Sequence, residues 1–179
     1  WYPCGSMNTW LVSLAAPDGT DAPKVRVVLW DVIKAIEHVH YHGIVHCDVK
    51  LANVLVEAHS DGQHRGILAD FDLSKDLEHR LQEVSTSAMS VAPGARGTPG
   101  CLTMAPEVLQ GTQPDFKADI YSFGGIVLQA LFTSQANAWK QGGDEERWDR
   151  ASGAPVLASV NDEMARDLLS KVLHRNKDE

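Results

Sequence analysis

The chain has 179 residues, 44% of them hydrophobic, and 16 lysines and arginines stand against 24 aspartates and glutamates for a formal net charge of −8. That apolar content at this length is enough for the core of one domain. The acidic balance leaves no basic excess to hold nucleic-acid phosphates or anionic lipid, so nucleic acid and membrane surfaces are not expected partners.

In chain order, a short helix is expected over Ser6 to Leu14, closed by the Pro/Gly/Asp-rich loop Ala16 to Pro23. From Lys24 to His42, Val25, Val28, Leu29, Val32, Ile36 and Val39 fall at helical spacing on one face, and Gly43 is placed to cap that helix. Two short aliphatic runs, Val54 to Val56 and Gly66 to Ala69, flank Asp61-Gly62 and predict a small β-hairpin. Leu73 to Gly100 reads as a long loop with a Ser/Thr patch at Ser85, Thr86, Ser87 and Ser90. A short helix is expected over Ala105 to Gln110. A long one over Lys117 to Phe132 is apolar on nearly every side and must be surrounded by protein. Its apolar core, Ile120 to Phe132, is shorter than the ~20 residues that a membrane-spanning helix needs. Gln141 to Gly153 is a polar loop that Trp139 and Trp148 would anchor, with Asp144-Glu145-Glu146 as a solvated face. A last amphipathic helix, Asn161 to His174, should turn Met164, Leu168, Leu169, Val172 and Leu173 inward. There is no internal repeat.

Cys4, Cys47 and Cys101 are too scattered for a disulfide framework or a paired metal site, and a reducing, intracellular (cytoplasmic) setting suits them. No charged-then-apolar leader opens the chain and position 1 is not Met, so a fragment is expected.

The chemistry concentrates in His46-Cys47-Asp48-Val49-Lys50-Leu51-Ala52-Asn53, which fits the pattern of His, any residue, Asp, then Lys two residues on and Asn five residues on. Asp70-Phe71-Asp72 follows the hairpin. Further on come Gly97-Thr98, Ala105-Pro106-Glu107 and Asp119-Ile120-Tyr121-Ser122-Phe123-Gly124. Each of these arises often by chance. Taken in this order and spacing, they resemble the carboxy-terminal lobe of a eukaryotic protein kinase domain of the serine/threonine type, over nearly the whole chain.

The resemblance implies a mainly α fold, a helical kinase-like carboxy-terminal lobe with a small β-hairpin beside the catalytic loop and the amino-terminal β lobe absent. Residues 1–179 would then be a partial kinase domain, hinge and carboxy-terminal lobe, truncated at both ends. By the same resemblance, Asp48 would accept or orient the proton of a substrate hydroxyl, and Lys50 would neutralise the γ-phosphate of ATP. Asn53 and Asp70 would hold Mg2+, and Leu55 would lie under the adenine ring. Mg2+ takes hard oxygen ligands and keeps several waters, so one carboxylate, one amide oxygen and the phosphates suffice. The implied partners are ATP and a protein carrying a Ser or Thr acceptor. Asp119 would fix the catalytic-loop backbone, and His46 would pack beneath it as scaffold.

Several residues depart from the family pattern. Cys47 stands where the family has an Arg that pairs with a phosphorylated residue, and a thiol cannot make those charge-assisted bonds. Asp72 replaces a Gly, which restricts the backbone of that segment and adds a carboxylate. Two extra residues lie between Thr98 and Ala105, and no Tyr or Trp precedes Ala105. No glycine-rich loop or strand Lys precedes the motifs, and the family's Arg partner for Glu107 falls beyond Glu179. As given, the chain is therefore expected to be poorly stable and inactive. His38, His40 and His42 are read as solvated or capping histidines, and a neighbouring carboxylate keeps the Cys47 thiol inert. Two functions stay open at this point: a protein kinase in the full-length protein, or a pseudokinase that binds or scaffolds without turnover. A kinase-like enzyme acting on a small molecule is a lesser option, because such enzymes generally lack the Ala-Pro-Glu element.

Overall fold

The computed structural model describes residues 4–14, 22–77, 102–141 and 155–173. The Ser/Thr patch from Ser85 to Ser90, Gly97-Thr98, Cys101, the acidic run Asp144-Glu145-Glu146 and Trp148 lie outside them, as does the side chain of Trp139.

Helix α1 (Met7–Ser13) begins where Ser6 caps it: the side-chain oxygen accepts from Thr9 N–H at 3.4 Å, and Met7 and Trp10 are buried. Helix α2 (Ala22–Tyr41) presents the expected face, with Val25, Val28, Leu29, Val32 and Ile36 buried. It stops at Gly43, whose φ of +73° is the left-handed conformation of a helix cap.

Strands β2 (Val54–Ala58) and β3 (His64–Leu68) form the expected antiparallel hairpin, with Val54 opposite Leu68 and Ala58 opposite His64. Asp61 accepts from Gln63 N–H at 2.9 Å, and Gly62 takes φ +81° to reverse the chain. The hairpin lies directly on α2, where a Cβ at Gly66 would stand 2.6 Å from the carbonyl oxygen of Val28. Gly66 N–H also donates to Asp31 at 3.0 Å. A second strand pair was not foreseen: β1 (Ile44–Val45) runs antiparallel to β4 (Lys75–Asp76). Two-residue strands have no alternation for a sequence pattern to reveal.

Beyond the undescribed stretch, α3 (Pro106–Leu109) leads to α4 (Phe116–Leu131), which Asp115 caps by accepting from Lys117 N–H at 2.9 Å. Helix α4 is the axis of the core, with Tyr121, Phe123, Ile126, Val127 and Leu128 buried. Adjacent glycines let two neighbours approach its backbone. A Cβ at Gly125 would lie 2.4 Å from the carbonyl oxygen of Leu102, and one at Gly124 would lie 2.5 Å from a methyl of Val172. Helices α5 (Thr133–Gln141) and α6 (Pro155–Ala158) were not foreseen. Their polar or very short sequences carry little periodicity.

Helix α7 (Glu163–Val172) corrects part of the expectation. Leu169 and Leu173 are fully buried and Val172 half-buried, but Met164 is 82% and Leu168 41% exposed. The apolar stripe is wider than the surface that α4 offers to it. Met164 and Leu168 instead flank an open groove of about 570 Å³ lined also by Trp30 and Ile33 of α2. Among the described residues no helix is long and apolar enough to cross a membrane.

Asp162 caps α7 and bridges to α2, where Arg26 donates to it at 2.5 Å. The Ala165 N–H first, and the Arg26 guanidinium next, hold its carboxyl below the ordinary 3.8. A lowered folded-state value means stability that is present above the ordinary value and lost as pH falls through the folded one. The melting-temperature gap between wild type and Asp162→Asn in the full-length protein should therefore be open at about pH 6 and close below about pH 4. In the same protein, Gly125→Ala should lose about 1–3 kcal/mol in urea unfolding, because its new methyl meets backbone that cannot rotate away.

Candidate active site

The catalytic loop turns on a carboxylate from outside it. Asp119, in the first turn of α4, is 1% exposed. Its Oδ2 accepts from His46 N–H at 2.7 Å and its Oδ1 from Cys47 N–H at 2.9 Å. Cys47 is held at φ +66°, a left-handed conformation that costs a non-glycine residue about 1–3 kcal/mol. The two hydrogen bonds to Asp119 offset that cost and fix the backbone from which the next residue, Asp48, follows.

His40 of α2 completes the set, with its Nε2 2.9 Å from Asp119 Oδ2 and its ring 4.7 Å from that of Phe116. Sequence reading placed His40 in a cluster of solvated or capping histidines and missed this contact. The signal was present: His40 follows the fully buried Ile36 by four residues, so it shares that face of α2. His42 does cap, its Nδ1 standing 2.9 Å from the carbonyl oxygen of His38.

His46 is fully buried and joins the loop to the segment after β3. Its Nδ1 accepts from Asp48 N–H at 3.3 Å, which assigns the ring proton to Nε2, and Nε2 donates to the carbonyl oxygen of Ala69 at 3.1 Å. The ring of Phe71 lies 4.6 Å from it. Ala69 N–H donates in turn to the carbonyl oxygen of Asn53 at 2.9 Å, so Asp70 begins beside Asn53.

Asp48, Lys50 and Asn53 meet directly. Lys50 Nζ donates to Asp48 Oδ2 at 2.6 Å, and Asn53 Nδ2 donates to the same oxygen and to the Asp48 carbonyl, both at 2.9 Å. Asn53 is buried in the 3₁₀ turn Leu51–Asn53. With its amide nitrogen fixed on Asp48, its Oδ1 is the atom able to meet a cation. Asp70 is exposed at φ +67°, and its carboxylate has no protein donor among the described residues. An amide oxygen and an exposed carboxylate on adjoining backbone fit the hard-oxygen preference of Mg2+.

Leu55 is half-buried in β2, one residue past the strand's start. The segment before α1 crosses it, with Ser6 bridged to Leu55 and Val56 N–H donating to the Gly5 carbonyl at 2.9 Å. Asp72 is exposed. Glu107 is half-buried in α3, and no cation reaches its carboxylate among the described residues.

The arrangement is a carboxylate steadied by an ammonium and an amide, with a second, exposed carboxylate, Asp70, on the segment hydrogen-bonded to Asn53. Comparison with known proteins agrees with the fold around it. Residues 3–179 match the protein kinase domain family. The chain is 32% identical over 178 residues to mitogen-activated protein kinase kinase kinase 17 of Arabidopsis thaliana, covering 94% of this chain and 43% of that protein. It is 36% identical over 142 residues to mitogen-activated protein kinase kinase kinase 2 of the same plant, covering 79% and 19%. Against the LRR receptor-like serine/threonine-protein kinase EFR, also from Arabidopsis thaliana, identity is 34% over 139 residues, 72% and 13%. The chain belongs to the protein kinase domain family, and it spans less than half the length of these relatives.

Removing the Asp119 carboxylate strands two backbone N–H groups and releases Cys47. In the full-length protein, Asp119→Ala should cost about 2–5 kcal/mol in urea unfolding, whereas Asp48→Ala, after which Asn53 Nδ2 keeps its bond to the carbonyl of residue 48, should cost about 1 kcal/mol.

Proposed function

We propose that the full-length protein transfers the γ-phosphate of ATP to a Ser or Thr hydroxyl of a protein substrate, with Mg2+, and that this chain is the hinge and carboxy-terminal lobe of its catalytic domain. The observation that supports this most is the convergence of Lys50 and Asn53 on Asp48 Oδ2, with Asp70 beginning beside Asn53.

Phosphoryl transfer proceeds through a loose transition state, so the protein's task is positioning and charge neutralisation. Lys50 and Asn53 hold one oxygen of Asp48, which leaves the other to receive the substrate hydroxyl. As the substrate oxygen bonds to the γ-phosphorus and the bond to the β-phosphate oxygen breaks, the hydroxyl proton passes to Asp48 and ADP departs. Lys50, 43% exposed at its side chain, is free to exchange Asp48 for the γ-phosphate. Asn53 Oδ1 and the Asp70 carboxylate would hold Mg2+, which when bound neutralises phosphate charge. Leu55 would support the adenine ring.

Serine or threonine as acceptor follows from Lys50 two residues after Asp48, and from relatives named as serine/threonine-protein kinases. Residues 1–179 alone would be inactive, since they hold no glycine-rich loop and no strand Lys to close over the phosphates. An intracellular, cytoplasmic site of action suits the scattered positions of Cys4, Cys47 and Cys101.

The competing reading, a binding module without turnover, draws on Cys47 and Asp72. Steady-state kinetics separate the two. In the full-length protein Asp48→Asn should lower kcat by about 10²- to 10⁴-fold while leaving nucleotide affinity within about twofold. Wild-type protein that binds ATP without transferring phosphate would favour the binding module.

A further inference from the structure

Lys75 lies in β4, five residues beyond Asp70, and its partner across the strand pair is Val45, two residues before Cys47. It is half-buried, and its ammonium donates to Gln113 Oε1 at 2.6 Å, across 38 residues of chain. Among the described residues that ammonium meets no carboxylate. A cation held by a neutral amide still gains a charge-assisted hydrogen bond, although its charge is not cancelled.

Gln113 sits in the loop between α3 and α4, two residues before the Asp115 cap. Four residues past that cap, Asp119 grips the backbone of His46 and Cys47. The contacts therefore close a ring. It runs from the catalytic loop to Asp119, back through the start of α4 to Gln113, across to Lys75, along β4 to β1, and through Val45 into the catalytic loop again. Asp70 is inside this ring, because His46 and Asn53 both hold Ala69.

We propose that Lys75 and Gln113 are a positioning pair that fixes the exit of the Asp70 segment to the base of the catalytic loop without a phosphate group. The proposal rests on the kinase reading above and names how that site is held. Two observations favour a tie without phosphate. Cys47 offers a weak thiol donor, directed at the Val45 carbonyl at 3.5 Å, where an Arg would offer a two-pronged one. Lys75, the cation of the strand pair, is already engaged by Gln113.

The test uses the full-length protein with Lys75→Met, Gln113→Ala, the double variant and Lys75→Arg. Each single variant should lower kcat about tenfold, with the KM for ATP changed less than about twofold. The double variant should be no slower than either single one, because both remove the same contact. Lys75→Arg should keep most of the rate. Alanine at Ser85, Thr86, Ser87 and Ser90 together, or phosphatase treatment, should leave kcat within about twofold of untreated wild type. Unchanged kcat in the single variants, or additive losses in the double one, overturns the pair. Loss of activity in the quadruple variant or after phosphatase overturns its independence from phosphate. If the wild type transfers no phosphate, the kinase reading fails, and amide-hydrogen exchange over residues 71–77 judges the pair. Faster exchange in both single variants supports it, and unchanged exchange overturns it.

Discussion

One buried carboxylate sets the shape of the catalytic loop. Asp119 comes from the helix at the centre of the core and accepts from the backbone of two consecutive loop residues and from His40. A buried carboxylate is costly unless its oxygens are occupied, and here three donors occupy them. The loop cannot relax without stripping that carboxylate, so Cys47 stays in a left-handed conformation that it would otherwise leave. Asp48, the next residue, inherits its direction from this arrangement.

The packing of the domain keeps Asp119 where it is. Helix α4 is clasped by the Leu102 backbone and the Thr103 side chain against Gly125 and by α7 and Leu173 against Gly124. Ser122 adds a polar tie, its hydroxyl 2.6 Å from the Thr103 carbonyl. The other wall of the site is the β2–β3 hairpin, set against α2 at Gly66, and α2 also supplies His40. Side chains that are far apart in sequence thus reach the site from a small number of rigid elements, as preorganised catalysis requires. Asp70 is exposed, and Lys50, tied to Asp48, is 43% exposed at its side chain, so both can meet a ligand.

Much of this was legible in the sequence. Helix α2 and its Gly43 cap follow from periodicity and one turn residue, and the hairpin from two aliphatic runs around Asp61-Gly62. Asp48, Lys50 and Asn53 were legible because their fixed spacing spans a single loop and 3₁₀ turn, so sequence proximity is spatial proximity. Asp70 lies 17 residues past Asn53, and only the ordered string of motifs pointed to it. What was hidden has physical reasons. The β1–β4 pair is too short to alternate, and its partners are joined by hydrogen bonds that any side chains permit. His40 looked like one polar residue among several, although it sits on the buried face of α2. Met164 and Leu168 fit the apolar stripe of α7, but a stripe does not report how wide a surface the neighbouring helix offers.

The proposed role of this chain is phosphoryl transfer to a hydroxyl side chain in the full-length protein. It is tested most directly by incubating the full-length protein with ATP labelled at the γ-phosphate and a protein acceptor, then identifying the labelled amino acid with and without Mg2+. Label is expected on serine or threonine, none on tyrosine, and none when Mg2+ is withheld. Saturable ATP binding with no label on any residue would contradict it.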